Sequence, residues 1–176
     1  LISHADMAMI AVKSFGGEHQ AWFRDEMNAR FLKKLQLEND MRRAIERQEF
    51  LLEYQPLVDI ESGRINGMEA LIRWQHPRHG RIPPVEFIPL AEETGLIVDI
   101  GLWVLREACR QTVEWQRRGH TGLTISVNIS ARQFQHPDFL NAVLGALLRC
   151  ADATAYRVVL QATLGRIVLD AARDPS

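Results

Sequence analysis

The fold of this chain is decided by residues 67–74, which read Gly67-Met68-Glu69-Ala70-Leu71-Ile72-Arg73-Trp74. The stretch predicts a β-strand, in which Glu69, Leu71 and Arg73 share one face because side chains two positions apart point to the same side. A carboxylate near the end of a strand can bind a metal ion, and an arginine four residues further on can bind a phosphate. The stretch therefore predicts a strand that carries a ligand site.

The sequence on either side of this strand predicts strands and helices in alternation. We expect strands at 50–58, 64–73, 123–129 and 157–164, and helices at 87–93, 101–118 and 138–150. This order is typical of a parallel sheet covered by helices, so an α/β fold is predicted.

Two other predicted strands also carry polar faces. These faces are formed by Thr124, Ser126 and Asn128 on one strand and by Glu53 and Gln55 on the other. Ligands in α/β folds bind at the carboxyl ends of strands, where Glu69, Arg73 and Asn128 fall. A carboxylate and an amide oxygen are hard ligands that suit Mg²⁺ or Mn²⁺, and Arg73 can fork onto a phosphate.

The same residues have simpler interpretations. Glu69 can form a salt bridge with Arg73, and Asn128 can satisfy a backbone group at a strand end. His76 and His79 flank a turn and can form a metal pair, although a solvated loop is the simpler interpretation of that turn.

Composition excludes some classes of protein. The net charge is −1, from 21 basic and 22 acidic side chains, so the basic excess of a DNA-binding protein is missing. Cys109 and Cys150 form no Cys-x-x-Cys motif, and few cysteines without a secretory leader indicate the cytoplasm. No apolar run reaches the roughly 20 residues of a membrane span. Because the first residue is Leu1, we expect a piece of a longer protein, which could be membrane-anchored elsewhere.

The first part of the chain predicts no domain of its own. Residues 1–23 are too short for one, and residues 24–48 predict a charged helix with apolar residues at roughly helical spacing. Such a helix can be an amphipathic linker packed on its neighbour, or a signalling or dimerising helix.

Several motifs resemble one family. Glu69-Ala70-Leu71, followed by Arg73-Trp74-Gln75-His76-Pro77, is similar to the signature of EAL-domain cyclic di-GMP phosphodiesterases. Further similar segments are Tyr54–Pro56, Glu86–Gly95, Trp103–Arg106 and Val127–Phe134. Upstream, residues 5–9 with Lys13 resemble the tail of a GGDEF (diguanylate-cyclase-like) domain, although Ile10 and Gly17 stand where that family usually has tyrosine and arginine.

The resemblance implies a modified (β/α)₈ TIM-like barrel, of which residues 49–176 would form about the first half. Members of the family use Mg²⁺ or Mn²⁺ to hydrolyse cyclic di-GMP to the linear dinucleotide pGpG. By this resemblance Glu69 and Asn128 are metal ligands, Arg73 contacts a phosphate of the ligand, and Gln55 and Leu71 line the ligand pocket.

One departure from the family pattern bears on activity. The family's fourth strand ends in Ile-Thr-Glu-Ser, whose glutamate binds metal, whereas here the run is Gln161-Ala162-Thr163-Leu164-Gly165. Leucine cannot coordinate an ion, and the segments of the second half of the barrel are missing from this chain. No catalytic set is therefore intact, and we expect the chain alone not to hydrolyse cyclic di-GMP.

Three functions remain open from the sequence. The chain can be part of an active phosphodiesterase, a non-catalytic cyclic di-GMP receptor, or a regulatory fragment that contacts another protein. A half barrel would also leave the strand at 157–164 with an open edge, through which a homodimer or a partner protein could pair.

Overall fold

The computed structural model describes residues 20–149, 155–162 and 165–172. The chain divides into two compact units, Leu1–Asn39 and Asp40–Ser176. The helices are α1 (Gln20–Ala44), α2 (Pro84–Thr94), α3 (Ile97–Arg117), α4 (Ala131–Phe134) and α5 (Phe139–Arg149). The strands are β1 (Phe50–Val58), β2 (Ile65–His76), β3 (Gly80–Ile82), β4 (Thr124–Ile129), β5 (Ala155–Ala162) and β6 (Gly165–Ala172).

The strands form one mixed sheet in the order β1-β2-β4-β5-β6, with β3 paired to β2. The central pairs β2–β4 and β4–β5 are parallel, as the sequence predicts, whereas β1–β2, β2–β3 and β5–β6 are antiparallel. The α/β class and the strand at 50–58 are confirmed. The short elements β3 and α4 are additions to the predicted pattern.

The predicted open edge at 157–164 is wrong. Strand β6 pairs with β5 along its whole length, from Ala155 opposite Ala172 to Ala162 opposite Gly165. The backbone groups that a partner would need on β5 are therefore already used by the chain itself.

Helix α1 begins and ends earlier than the predicted 24–48. It ends at Ala44, and the turns that follow it close at Gln48, whose positive φ of 55° a right-handed helix excludes. Before α1 ends, Phe31 and Leu32 are exposed, whereas Met41 is buried in the second unit.

The core lies on one face of the sheet. Helix α2 contacts β2, and α3 contacts β1, β2, β4 and β5. Trp74 and Phe87 are fully buried, and their rings lie 5.6 Å apart in an edge-to-face arrangement. Phe50 joins this cluster, with its ring 5.5 Å from Trp74. The apolar burial on this face fixes the register of β2, so that its other set of side chains points away from the helices.

His76 is buried at the end of β2, whereas the turn residues Pro77, Arg78 and His79 are exposed, so the solvated-loop interpretation holds for the turn and is wrong for His76. Only 2% of its side chain is exposed, and Nδ1 accepts hydrogen bonds of 3.1 Å from the backbone N–H groups of Arg78 and His79. Nε2 is therefore the nitrogen that carries the ring proton, and it lies 3.3 Å from Asp40 Oδ2. His76 thus joins the end of β2 to the end of α1.

Within the described residues, no helix is both long enough and apolar enough to cross a membrane.

Candidate functional site

Strand register brings the predicted site residues onto the face of the sheet opposite the core. Gln55 of β1 lies opposite Glu69 of β2, and Glu69 lies opposite Ser126 of β4. Two residues after Glu69 on β2, Leu71 lies opposite Glu53 of β1. Opposed residues point to the same side, so three neighbouring strands contribute to one polar face.

Glu69 and Asn128 are in direct contact on this face. Asn128 Nδ2 donates a hydrogen bond of 2.8 Å to Glu69 Oε1. Asn128 lies one residue before the end of β4, and the parallel pairing of β2 with β4 extends to Ala70. Two parallel strands thus hold a carboxylate and an amide side by side where their pairing ends: Asn128 lies at the carboxyl end of β4, whereas Glu69 lies in the middle of β2 rather than at the strand end that the sequence predicts.

Arg73 is held by Glu53 rather than by Glu69. Arg73 Nε donates a hydrogen bond of 2.8 Å to Glu53 Oε2, and a terminal nitrogen of Arg73 donates one of 2.9 Å to the Ile72 carbonyl. Arg81 of β3 donates to the second oxygen of the same Glu53 carboxylate. The salt bridge between Glu69 and Arg73 and the backbone role of Asn128, both considered from the sequence, are therefore wrong.

Two arginines lower the pKa of the Glu53 carboxyl. The larger cause is the hydrogen bond from Arg81, and the hydrogen bond from Arg73 acts in the same direction. Glu53 is therefore ionised at neutral pH, and its single negative charge faces two positive charges.

The sequence places Glu53 on a polar face with Gln55 but does not identify it as the partner of Arg73, and it does not identify Arg81 as part of this site. A signal was present for Glu53, because the tight turn at 59–64 sets the register of the β1–β2 hairpin and places Glu53 diagonally across from Arg73. No such signal was present for Arg81, since β3 is only three residues long.

The segment after β4 begins with a capping box. The Ser130 side chain accepts from the Gln133 backbone N–H, and the Gln133 side chain accepts from the Ser130 backbone N–H at 3.0 Å. Gln133 is buried against α3, where a Cβ added at Gly101 would overlap its side chain. This arrangement fixes how the chain leaves β4 just after Asn128.

The described donors do not make a complete divalent-metal site. Mg²⁺ and Mn²⁺ prefer about six oxygens, whereas Glu69 and Asn128 supply one carboxylate and one amide, and one oxygen of Glu69 already accepts from the amide nitrogen. No group of three or more His, Cys, Asp or Glu side chains in the described ranges could hold a metal ion. Leu164, which stands where the family has a metal-binding glutamate, lies outside the described residues.

A family model described as the EAL domain matches residues 38–172. The bifunctional diguanylate cyclase/cyclic di-GMP phosphodiesterase MucR of Pseudomonas aeruginosa is 45% identical over 171 residues, covering 97% of this chain and 25% of MucR. The cyclic di-GMP phosphodiesterase PdeR of Escherichia coli is 41% identical over 143 residues, covering 81% of this chain and 21% of PdeR.

The chain is also similar to solved structures of EAL proteins. The structure titled PaMucR phosphodiesterase, c-di-GMP complex, has a TM-score of 0.64 at 51% identity, and the match covers 68% of this chain and 48% of that one. The EAL enzyme Bd1971 in its cGMP-bound form has a TM-score of 0.68 at 30% identity, covering 88% and 45%. The chain therefore spans about a quarter of these curated relatives and about half of these solved chains.

Proposed function

This chain belongs to the EAL domain family, and from that membership we propose that it acts in cyclic di-GMP signalling by supplying one side of a cyclic di-GMP site. The observation that carries the proposal is the contact between Glu69 and Asn128, on the same face of the sheet as Arg73. The structure of PaMucR, to which the chain is similar, is titled as a c-di-GMP complex.

Each predicted site residue has a role in this proposal. Arg73 would contact a phosphate of the dinucleotide, since a guanidinium matches the oxygens of a phosphodiester. Gln55 and Leu71 would line the pocket beside it. Glu69 and Asn128 would be the part of a Mg²⁺ or Mn²⁺ site that this segment contributes.

We propose further that the 176-residue chain does not hydrolyse cyclic di-GMP by itself. The support is chemical: Leu164 stands where the family has a metal-binding glutamate, and an aliphatic side chain has no donor atom. One carboxylate and one amide among the described residues hold a divalent ion weakly, and the chemistry that such an ion supplies is activation of the attacking water.

The domain organisation is also a proposal. Residues 1–23 would be the tail of a GGDEF-like domain, 24–48 a linker helix and 49–176 the first half of an EAL domain. The support is the match to MucR, which covers 97% of this chain, in a protein whose name includes a diguanylate cyclase. We also place the chain in the cytoplasm, and the support is that the sequence has only two cysteines, Cys109 and Cys150, which form no Cys-x-x-Cys motif.

Titration calorimetry with cyclic di-GMP, with and without Mn²⁺, tests the proposal. We expect weak binding that Arg73→Ala reduces about tenfold or more, because a hydrogen bond to a charged group contributes about 1.5–3 kcal/mol. Arg64→Ala is the matched control, since Arg64 is an exposed arginine in the β1–β2 turn.

The three open functions give different results in this experiment. If cyclic di-GMP binds in the absence of Mn²⁺ and no pGpG is formed, the chain is a non-catalytic receptor. Arg73 could contribute to such binding without a metal ion. Production of pGpG by the chain alone would contradict the proposed lack of turnover. Absence of binding with and without Mn²⁺ would contradict the site and favour a fragment that contacts another protein.

A further inference from the structure

We propose that Arg81 and Arg73 form a two-arginine clamp for a phosphodiester anion, and that the Glu53 carboxylate occupies this clamp until the anion replaces it. The inference assigns Arg81 as a second anion-binding residue and Glu53 as a built-in competitor. It rests on the proposed function only for the identity of the natural anion.

The geometry of Glu53 is that of a bound anion. Its two oxygens accept from two different guanidinium groups, one on β2 and one on β3. Strand register places Arg81 of β3 opposite Gln75 of β2. Gln75 is two positions after Arg73 on β2, so Arg73 and Arg81 point to the same face of the sheet. The carboxylate therefore marks a position at which two positive groups converge.

A phosphodiester has the chemistry to take the place of this carboxylate. Both anions carry one negative charge shared by two terminal oxygens, and a guanidinium binds either of them through parallel N–H groups. Replacement of Glu53 by the phosphodiester would therefore keep the charge balance of the clamp. A neutral ligand would leave the two arginines facing each other without an anion.

Because the three side chains are at least partly exposed, replacement of the Glu53 carboxylate by a phosphodiester costs little free energy. Glu53 is 44% exposed and Arg81 is 52% exposed, whereas Arg73 is only 21% exposed. An ion pair at such a surface is weak because water and salt screen it, so a ligand phosphate can replace the carboxylate. The low pKa of Glu53 means that the competing charge is fully present at neutral pH.

Arg73 is held by a group other than Glu53, because its guanidinium also donates to the Ile72 carbonyl. The pairing of β3 with β2 at three positions fixes the backbone of Arg81 beside it. Release of Glu53 would therefore leave one oriented guanidinium and a second one tethered close to it, and this reduces the ordering cost of binding an anion.

Dimethyl phosphate is the probe that tests the clamp, because it has the phosphodiester group and nothing else of the nucleotide. Its binding would be followed by the NMR signals of the Arg73 and Arg81 side-chain N–H groups in the full chain. We expect Glu53→Gln to tighten binding by up to about fivefold, which is the strength of an exposed ion pair. Arg81→Ala should weaken binding in both the original and the Glu53→Gln background.

Controls separate the clamp from general charge effects and from misfolding. Glu61→Gln removes an exposed carboxylate in the β1–β2 turn and should leave the affinity unchanged. Thermal unfolding of each variant checks that it is folded. Equal affinity of the Glu53→Gln variant and the original chain, or an Arg81→Ala variant with full affinity, would overturn the inference.

The same titrations with cyclic di-GMP distinguish this inference from the proposed function. If dimethyl phosphate follows the expected order and cyclic di-GMP does not bind, the clamp stands and the proposed ligand is wrong. If cyclic di-GMP binding depends on Arg73 but not on Glu53 or Arg81, the proposed function stands and the clamp is wrong.

Discussion

Asn128 Nδ2 donates a hydrogen bond of 2.8 Å to Glu69 Oε1, and this contact joins residues 59 positions apart in sequence on neighbouring parallel strands. In this arrangement the amide nitrogen of Asn128 faces the carboxylate. A cation shared by the two side chains needs the amide oxygen instead, because a metal ion binds the oxygen and not the N–H group. Binding of a divalent ion therefore requires rotation of the Asn128 amide.

Asn128→Asp removes that requirement and adds a second carboxylate. We expect Mn²⁺ to bind the variant about tenfold more tightly than the original chain, since a divalent ion prefers charged oxygen ligands. The measurement is a Mn²⁺ titration followed by paramagnetic broadening of NMR signals from β2 and β4. Asn141→Asp is the matched control because it adds the same charge at an exposed position of α5. Equal Mn²⁺ affinity in the two variants would contradict a metal-binding role for Asn128.

A second prediction concerns the pH dependence of the pair formed by Glu53 and Arg81. The pKa of Glu53 is lowered in the folded chain, so the stabilisation from this ion pair is present at neutral pH and is lost as the pH falls through the lowered pKa. NMR titration of the Glu53 side-chain carbon should give a pKa below the ordinary value, and Arg81→Ala should raise it. A Glu53 pKa that Arg81→Ala does not change would show that the two side chains are not paired in solution.

The sequence could predict the shared polar face but not all of its contacts. Alternation within each strand depends only on local spacing, so Glu69 and Asn128 could each be placed on the polar face of its strand. The extent of β2, which continues to His76 and leaves Glu69 in the middle of the strand, could not be predicted in this way. The partner of Arg73 depends on the register of the β1–β2 hairpin, which the turn and the buried face decide together. For that reason local spacing suggests Glu69 as the partner of Arg73 and does not suggest Glu53.

Long-range packing explains the other differences from prediction. His76 follows a strand and precedes a turn, and local rules therefore favour a solvated position for it. In the structure it is buried and contacts Asp40, which lies in a helix far earlier in the sequence. Likewise, β6 forms because β5 offers a free edge, and this pairing is not encoded in the composition of residues 165–172 alone.

A third prediction concerns the buried hydrogen bond between Glu49 and Trp74. Trp74 Nε1 donates to Glu49 Oε2 at 3.0 Å, and both side chains are buried. Glu49→Ala would leave the indole N–H without an acceptor, so we expect the free energy of unfolding to fall by about 1–3 kcal/mol. Urea unfolding measures this change. Glu49→Gln keeps an acceptor oxygen and should cost less than Glu49→Ala, and equal losses in the two variants would contradict the assigned hydrogen bond.

The last prediction concerns the close approach of Gly101 in α3 to Gln133. An added Cβ at Gly101 would overlap Gln133 Nε2 and lie 2.6 Å from its Cδ. Gly101→Ala should therefore displace the Gln133 side chain and break its hydrogen bond to the Ser130 backbone N–H, which costs about 0.5–2 kcal/mol for a lost cap. In a chain that already carries Gln133→Ala, the same Gly101→Ala substitution meets no side chain and gains the helix preference of alanine, about 1 kcal/mol. Urea unfolding of the two single variants and the double variant should thus show a change of sign for Gly101→Ala, and additive free energies would rule out this steric coupling.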